Sequence, residues 1–315
     1  MKQVVAAIDI GGTNTKFGLV DRAGVILFQS SVPTRSFPEA GNMVDALRAL
    51  FFEELSKLKA PSELLGLGIG APNGNYFTGQ IEFAPNLLWK GIVPLSKLFA
   101  AALDRPVWLT NDANAAALGE MKFGAAKGMK DFLFITLGTG LGSGIVANGE
   151  LIYGHDGFAG EVGHVIVTPG GRACGCGRKG CLETYCSATA IVKTYQELKK
   201  SDEAVHAKDI ADRAHAGETE ALEAFRLTGE TLGLALANSV AYTSPAAIFL
   251  FGGLAHAGEL LFAPTRKSFE NNLLVIYKNK IKILPSGLHE DDAALLGAAS
   301  LAWQELDRTK NKTKL

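Results

Sequence analysis

The sequence predicts an α/β protein made of two similar units, each with a mixed β-sheet flanked by helices, and with a cleft between the two domains. Strand-like apolar segments alternate with segments of helical periodicity along the 315 residues. A hairpin pattern also repeats, since an offset of 126 residues (138 − 12) aligns Gly12 with Gly138 and Gly18 with Gly144. Two hairpins of like design predict a duplicated unit, and clefts between such units commonly bind ligands.

The composition is that of an ordinary globular protein, with 47% hydrophobic and 20% charged residues. A net charge of −1 gives no overall attraction to nucleic acid or to a membrane surface, so we expect neither partner. The apolar run Val4–Ile8 is interrupted by Asp9 before it reaches the length of a signal peptide, and no apolar stretch is long enough to span a bilayer. We therefore expect a cytoplasmic protein.

In the first half, the opening hairpin is followed by helical spacing over Met43–Leu58 and a buried strand pattern over Leu64–Pro72. A further strand is predicted over Val107–Asn111, and a helix over Asp112–Met121, capped by Asn111 or Asp112. The sequence predicts a small domain over residues 1–111.

The second half repeats this alternation. Its predicted elements are helices over Ala188–Lys200 and Leu222–Tyr242, a strand over Ala247–Gly253, a helix over Glu259–Asn271, a strand over Lys280–Leu284 and a helix over Asp291–Leu306. We expect a large domain over residues 112–298, with the last helix, residues 299–315, packed back on the small domain.

Two glycine-bearing turns are candidates for phosphate binding, because backbone N–H groups can surround a phosphate only where side chains do not intrude. The turns are Gly11, Gly12 and Thr13 in the first half and Gly138, Thr139 and Gly140 in the second. Asp9, at the end of a strand, is suited to hold a metal-bound water beside the phosphates. The alternative is that both are plain hairpin turns, and neither matches the P-loop pattern.

Gly252 and Gly253 follow the apolar strand segment AIFLF and precede a helix. Such a pair allows a flat ring to pass close to the backbone, but it equally suits close packing of a helix on a strand. The pattern alone does not choose between nucleotide binding and packing.

Four cysteines lie within thirteen residues, and three of them, Cys174, Cys176 and Cys181, are interleaved with glycines. Three thiolates on a tight chain reversal predict a structural zinc site, whose fourth ligand is either His164 or Cys186. The alternative is a set of buried free thiols.

Five segments in order resemble those of the sugar-kinase and actin-like ATPase superfamily: Asp9–Thr13, Asn111–Ala116, Gly138–Gly140, Phe251–Leu254 and Leu295–Ala299. The resemblance implies two ribonuclease H-like domains. It also implies ATP with Mg²⁺ as cofactor, bound by the two phosphate turns and by Gly252 and Gly253.

Three motifs narrow the resemblance to the ROK family of repressors, open reading frames and kinases. They are the C-x-C-G-x-x-G-C-x-E pattern from Cys174 to Glu183, the E-x-G-H motif from Glu161 to His164, and the segment Leu109–Glu120. The resemblance implies a structural Zn²⁺ held by His164, Cys174, Cys176 and Cys181, which selects His164 over Cys186. It also implies a homo-oligomer, a dimer or a tetramer.

The resemblance further implies Asp112 as the general base and a set of sugar-binding residues, namely Asn111, Asp112, Glu161, His164 and Glu183. Asn73, Gly74 and Asn75 lie in a loop similar to another sugar-contacting segment, although Asn73 stands where many members have glycine. Phe83 and Trp89, further along the same loop, are expected in the core.

The implied function is ATP-dependent phosphorylation of a hexose. Glucose, converted to glucose 6-phosphate in glycolysis, is the leading substrate, and N-acetylmannosamine and fructose are the alternatives. A sugar-sensing transcriptional regulator and a sugar-binding protein without catalysis are the alternatives from other classes. Regulators of the family carry an additional N-terminal DNA-binding region, whereas here the first strand pattern starts almost at Met1.

Overall fold

The computed structural model describes residues 1–312. Its α-helices are α1 Ala40–Lys57, α2 Leu95–Leu103, α3 Asp112–Phe123, α4 Ala188–Lys199, α5 Ala207–His215, α6 Thr219–Thr243, α7 Glu259–Asn272 and α8 Glu290–Lys312. Its strands are β1 Lys2–Ile10, β2 Asn14–Asp21, β3 Ile26–Pro33, β4 Ser62–Ala71, β5 Gly74–Asn75, β6 Gln80–Glu82, β7 Ile92–Val93, β8 Val107–Asn111, β9 Phe132–Leu137, β10 Leu141–Ala147, β11 Glu150–Leu151, β12 Ala247–Phe251 and β13 Lys282–Pro285. Over these residues, none of the helices combines the length and the apolar character needed to cross a membrane.

The two large sheets share one topology, which is the predicted duplication. One has the order β3-β2-β1-β4-β8 and the other β11-β10-β9-β12-β13. In each, three strands pair antiparallel and the remaining two continue the sheet in parallel. The predicted α/β class with mixed sheets is therefore confirmed.

The first compact unit contains residues Met1–Gly128, the segment Tyr153–Ala159 and the chain from Gly287 onward. Its sheet is buried on both faces. Helices α1 and α2 cover one face, where Met43, Phe51 and Phe99 pack against strand residues such as Ile8. Helix α8 covers the other face through an alanine-rich stripe that ends in the fully buried Trp303. Small side chains allow this helix to approach the strands closely.

Close contact between α8 and its neighbours depends on glycines. A Cβ added at Gly68 on β4 would collide with the carbonyl oxygen of Ala298 on α8. Where α8 crosses α3, a Cβ added at Gly119 would lie 3.0 Å from the backbone of Gly297. Since α3 begins at Asp112, these contacts fix the helix that carries the candidate base.

Gly68→Ala is expected to lower the free energy of unfolding by about 1–3 kcal/mol, because the new methyl group must push α8 away from β4. Gly41→Ala is the matched control, since Gly41 lies near the start of α1 with no other atom within 4 Å of an added Cβ. The control is expected to be neutral or slightly stabilising. Urea unfolding compares the two variants, and equal effects would contradict the account of the α8 packing.

The second compact unit contains Met129–Ile152 and Gly160–Ser286. Helices α4 to α7 pack against its sheet around a core that includes Leu133, Ile191, Phe225 and Leu250. Helices α6 and α7 lie close together, because a Cβ added at Gly229 or Gly233 would meet the backbone or side chains of α7. This unit carries the second glycine turn and the cysteine cluster.

The units do not divide at residue 111, where the sequence places the domain boundary. The first unit continues to Gly128, because α3 packs against α8, and the chain returns to it at Gly287 rather than at residue 299. Of the predicted last helix, residues 313–315 lie outside the described residues.

Most predicted elements lie within a few residues of the observed ones, but helices α2 and α5 and strands β3, β5, β6, β7 and β11 have no counterpart among them. The strand predicted to Gly253 ends at Phe251, because Gly252 has a φ of 101° that no extended strand adopts.

Candidate functional site

In the first unit, two carboxyl groups meet at the carboxyl ends of parallel strands. Asp9 pairs with Gly70 across β1 and β4, and Ala71 pairs with Asn111, the last residue of β8. A Cβ added at Gly70 would lie 3.3 Å from Asp9 Oδ1 and 3.6 Å from the Cα of Asp112. Because Gly70 has no side chain, the space between Asp9 and Asp112 is not filled.

Asn111 is the N-cap of α3, and its side-chain oxygen accepts a hydrogen bond of 2.8 Å from the Ala113 N–H. This settles the choice between the two predicted caps. Asp112 is the first helical residue, and its Oδ1 accepts a hydrogen bond of 2.8 Å from the same Ala113 N–H. Desolvation by the surrounding protein atoms raises the pKa of the Asp112 carboxyl, and the hydrogen bonds from the Ala113 and Asp112 N–H groups oppose it. A base with a raised pKa is suited to take a proton near neutral pH.

Desolvation raises the pKa of Asp9 to about 7, and repulsion from Asp112 adds to the effect. Lys16 opposes it, because it lies directly across from Asp9 in the pairing of β1 with β2. Two acids whose pKa values are both raised, one of them beside a lysine, are typical of a functional site rather than of a surface ion pair.

Asp9→Asn is expected to stabilise the ligand-free protein at pH 8 by on the order of 2 kcal/mol, because the amide carries no charge to desolvate. The native carboxyl group takes up its proton near pH 7 and the unfolded one near 3.8, so the wild type gains stability as the pH falls between these values. The advantage of the variant should therefore shrink from pH 8 to pH 5.

Urea unfolding at pH 8, 6.5 and 5 measures this difference. Asp45→Asn, on the exposed face of α1, is the control and is expected to have little effect at each pH. An Asp9→Asn protein less stable than the wild type at pH 8 would contradict the cost assigned to burying Asp9.

The first glycine turn is shaped by the protein itself. An added Cβ would lie 2.8 Å from the Asn14 carbonyl oxygen at Gly11, and 3.1 Å from that of Asn86 at Gly12. The Thr34 hydroxyl donates to the Gly11 carbonyl over 2.7 Å, and the Thr34 N–H donates to the Thr13 carbonyl over 2.8 Å. These bonds hold the Gly11 and Thr13 carbonyl groups toward the protein. Phosphate binding by Gly11, Gly12 and Thr13 stays a prediction.

The three loop residues predicted to contact a sugar have internal roles. Asn73 has a left-handed backbone (φ 51°), which asparagine and glycine tolerate, so it can replace the glycine common in the family. A Cβ added at Gly74 would collide with the Thr110 carbonyl oxygen. Asn75 is 2% exposed, donates to the Asp156 carbonyl over 2.7 Å and accepts from the Phe77 N–H over 3.0 Å. Their contact with a sugar stays a prediction.

The two aromatic residues of this loop differ. Trp89 is buried and donates its indole N–H to the Phe37 carbonyl over 2.9 Å, as a core residue does. Phe83 is 68% exposed with a φ of 54°, so its predicted place in the core is wrong. The turn geometry at Phe83 directs its side chain away from the packed residues.

In the second unit, the two glycine segments lie side by side at the ends of β9 and β12. A Cβ added at Gly252 would lie 2.8 Å from the Leu137 carbonyl oxygen, so close packing explains this glycine. At Gly138 and Gly253, an added Cβ would have no neighbour within 4 Å in the described chain. Packing explains neither of these two glycines, which is consistent with a ligand passing close to the backbone there.

The predicted metal ligands come together in the second unit. The ligating atoms of His164, Cys174, Cys176 and Cys181 all lie within 4.8 Å of one another. The Cys176 and Cys181 sulfurs are 3.6 Å apart, as are the Cys174 sulfur and His164 Nδ1. Zinc bonds of 2.0–2.3 Å in a tetrahedron place the ligand atoms about 3.3–3.8 Å apart, so the four side chains fit such an ion. Cys186 is not in the cluster: it is fully buried, with its thiol against the Thr228 carbonyl.

Arg178 changes the acidity of one candidate ligand, the Cys176 thiol. Its backbone N–H and guanidinium groups lower the pKa of the Cys176 thiol to about 6, which favours the thiolate that binds metals. Arg178 also donates to the His164 carbonyl over 2.8 Å. It therefore links the two segments that supply ligands.

The remaining predicted sugar residues adjoin the cluster. Nε2 of His164, the ring nitrogen turned away from Cys174, lies 4.0 Å from Glu161 Oε2. Glu183 lies deeper than Glu161: its Oε2 accepts the Leu141 N–H over 3.1 Å, and its Oε1 is 3.7 Å from the Cys174 sulfur. The carboxylate of Glu183 thus lies against both the second glycine turn and the cysteine cluster.

Three residues of the site have no place in the sequence-based prediction. Gly70 had a detectable signal, because Gly66, Gly68 and Gly70 recur every second residue on β4 and so lie on one face that must accept close neighbours. Thr34 and Asn86 had none, since each reaches the first glycine turn from a distant part of the sequence.

The duplicated mixed sheets, with glycine turns at their strand ends, define a class of protein, namely α/β proteins with two actin-like ATPase domains. A model of the ROK family matches residues 5–305. The chain belongs to the ROK family, as its motifs predict.

Two relatives are similar over nearly the full chain. A glucokinase from Halalkalibacterium halodurans is 37% identical over 315 residues, which cover 95% of this chain and 94% of that protein. The crystal structure of a ROK family glucokinase from Streptomyces griseus, in complex with glucose and AMPPNP, has a TM-score of 0.79 and 35% identity. That similarity covers 96% of this chain and 99% of the other.

Regulators are also among the relatives. The xylose repressor of Bacillus spizizenii is 31% identical over 93% of this chain, and the match covers 75% of that protein. The family therefore includes both kinases and repressors.

Proposed function

We propose that this protein catalyses the ATP-dependent phosphorylation of a hexose, and that glucose is the substrate, converted to glucose 6-phosphate. The observation that carries the proposal is the pair Asp9 and Asp112, two acids with raised pKa values at the ends of parallel strands. The similarity to glucokinases along nearly the whole chain supports glucose over other hexoses.

In this proposal Asp112 accepts the proton of the attacking sugar hydroxyl. The hydroxyl oxygen forms a bond to the γ-phosphorus, the bond from that phosphorus to the bridging oxygen of ADP breaks, and ADP leaves with the electron pair. The cap by Asn111 and the packing of α3 on α8 fix the position of the Asp112 carboxyl group. Positioning and proton transfer are the main tasks that a kinase leaves to its side chains.

The glycine turns would hold the nucleotide. We assign Gly11, Gly12 and Thr13, together with Gly138, Thr139 and Gly140, to the phosphates, and Gly252 and Gly253 to the adenosine. Mg²⁺, when bound with ATP, neutralises charge on the phosphates. Asp9 would hold the metal through water, and it must be ionised to do so, which the charge of Lys16 favours.

For the sugar we assign Asn111, Asp112, Glu161, His164 and Glu183, with Asn73, Gly74 and Asn75 shaping the neighbouring loop. The metal in the cysteine cluster would be zinc with a structural role. A zinc ion on His164 Nδ1 leaves Nε2–H to donate, which suits a sugar hydroxyl near Glu161.

The proposal also includes the setting of the reaction. We place the enzyme in the cytoplasm, at the entry of hexose into glycolysis, as a homodimer or homotetramer without a nucleic-acid or membrane partner. The net charge of −1, which gives no overall attraction to polyanions, supports the absence of a nucleic-acid or membrane partner.

A coupled assay of ADP release tests the function. The purified protein is given ATP, Mg²⁺ and, in turn, glucose, N-acetylmannosamine, N-acetylglucosamine, mannose and fructose, with Asp112→Asn as the blank. We expect the highest kcat/KM with glucose. Faster turnover of another sugar would replace glucose as the substrate. No turnover of any sugar by a folded, metal-loaded protein would favour the sensor function that the repressor relatives represent.

A further inference from the structure

Three backbone groups of the second glycine turn are held by one short segment that follows the last cysteine of the cluster. The Gly138 carbonyl accepts from the Ala188 N–H over 2.8 Å, and the Thr139 carbonyl accepts from the Thr189 hydroxyl over 2.9 Å. The Leu141 N–H donates to Glu183 over 3.1 Å. We call Glu183, Ala188 and Thr189 the turn clamp. With both carbonyls drawn toward the clamp, and with the Gly138 N–H donating to the Gly140 carbonyl over 3.1 Å, the Thr139 and Gly140 N–H groups are the ones left for a ligand.

The fit of the clamp is close. A Cβ added at Gly140 would collide with the Glu183 carboxylate, so this glycine is required by the clamp. On the other side, a Cβ added at Gly163 would collide with the Leu141 carbonyl oxygen. Leu141 is therefore enclosed between the two motifs that supply the metal ligands, since Gly163 precedes His164 and Glu183 follows Cys181.

Hydrogen bonds and a stacking contact connect the cluster to the chain segment that carries the clamp residues. The Cys181 carbonyl accepts from the Thr184 N–H over 3.0 Å and from its hydroxyl over 2.7 Å. Arg172, two residues before the first cysteine, donates to the Thr184 carbonyl over 2.8 Å and stacks on the Tyr185 ring, with 4.8 Å to its centroid. Movement of the cysteine loop would therefore be transmitted to the segment that carries the clamp.

We infer that the turn clamp makes nucleotide binding depend on the cysteine cluster, with Glu183 and Thr189 as positioning residues for the turn that holds the ATP phosphates. This rests on the proposed function, because it takes the second glycine turn as a phosphate site. It gives Glu183 a role toward the nucleotide in addition to the role toward the sugar assigned above. It also gives the metal a function beyond holding His164 for the sugar.

Thr189→Val provides the cleanest test, because it removes one hydroxyl and touches neither the cluster nor the proposed sugar residues. Equilibrium binding of ADP with Mg²⁺ and of glucose is measured separately by calorimetry. The dissociation constant of ADP should rise about fivefold in Thr189→Val, the effect of one lost hydrogen bond, and that of glucose should be unchanged. Thr189→Ser keeps the hydroxyl and should restore the wild-type value.

Glu183→Ala tests the charged member of the clamp and should weaken ADP binding about tenfold or more, because its hydrogen bond is to a carboxylate. Glu223→Gln is the control: this glutamate pairs with Arg226 on the exposed side of α6 and contacts neither the clamp nor the cluster. It should bind ADP as the wild type does. Removing the metal from the wild type with a chelator should also raise the dissociation constant of ADP, with metal content and circular dichroism measured on the same sample.

The outcomes are separable. If Thr189→Val and Glu183→Ala both bind ADP within about twofold of a binding-competent wild type, the clamp has no role in nucleotide binding and the inference is wrong. A metal-free, folded wild type with unchanged ADP affinity would overturn the dependence on the cluster. A wild-type protein that binds glucose but no ADP would instead overturn the phosphate site of the proposed function, and the inference with it.

Discussion

Asp112→Asn is expected to lower kcat by about 10³-fold, within the range of 10²–10⁴ that a positioned general base contributes. The amide keeps the size of the side chain and can still accept the Ala113 N–H, which Asn111 also binds. The start of α3 should therefore be preserved while the proton acceptor is lost. Glucose affinity, measured by calorimetry, should change by less than about fivefold, since one neutral hydrogen bond is worth about 1 kcal/mol or less.

Asp104→Asn is the matched control for this variant. Asp104 lies at the end of α2 in the same unit, fully exposed, with a left-handed backbone (φ 51°) that asparagine also tolerates. Its kcat should equal that of the wild type. If Asp112→Asn keeps more than about a tenth of the wild-type kcat, Asp112 is not the base, because a tenfold loss lies below what such a base contributes.

Cys176→Ser is expected to lose the bound metal and to lower the free energy of unfolding by at least about 3 kcal/mol, or on the order of 10 °C in Tm. Serine is a poor zinc ligand, and the three remaining ligands, of which only Cys174 and Cys181 lie on the glycine-rich loop, leave the chain reversal without its cross-link. Metal content by inductively coupled plasma mass spectrometry and Tm by calorimetry measure both effects. The loss should be large because the loop has few apolar residues of its own to hold it.

Cys186→Ser separates metal binding from a general sensitivity to loss of a thiol. Cys186 is fully buried outside the cluster, so the variant should keep its metal even if the new hydroxyl costs some stability. A Cys176→Ser protein with full metal content and an unchanged Tm would show that the cluster holds no structural metal. Loss of metal from Cys186→Ser alone would instead make Cys186 the fourth ligand.

The cysteine cluster and the core elements were predictable to different degrees, and for identifiable reasons. The four candidate ligands follow from residue types that bind zinc in a motif resembling that of the family, and the structure brings all four side chains together. Helices such as α1 and α6 have long apolar periodicity and were predicted within a few residues. Helix α2 has only nine residues, although its buried Leu95, Phe99 and Leu103 recur at helical spacing, and strand β3 lies at a sheet edge with a partly exposed pattern, so neither was predicted.

The role of single residues in the loop after β4 and in the first glycine turn was less predictable. Asn75 has the polarity of a sugar ligand, but its amide is buried and holds the segment Tyr153–Ala159. Gly11 and Gly12 suit a phosphate turn, but the Asn14 and Asn86 carbonyl oxygens already explain the absence of side chains there. The residue type determines which hydrogen bonds a side chain can form, but either a ligand or another part of the protein can supply the partner.

The sequence by itself determined the α/β class, the duplicated sheet and the chemistry of the candidate site, because periodicity, glycine turns and clustered ligands are local properties of the chain. Only the tertiary structure decided that α3 packs with the first unit and that Asp112, across Gly70, raises the pKa of Asp9. It also decided that Glu183 supports the second glycine turn. These facts depend on distances between residues far apart in the sequence. The packing of helices on strands sets those distances to within about an ångström.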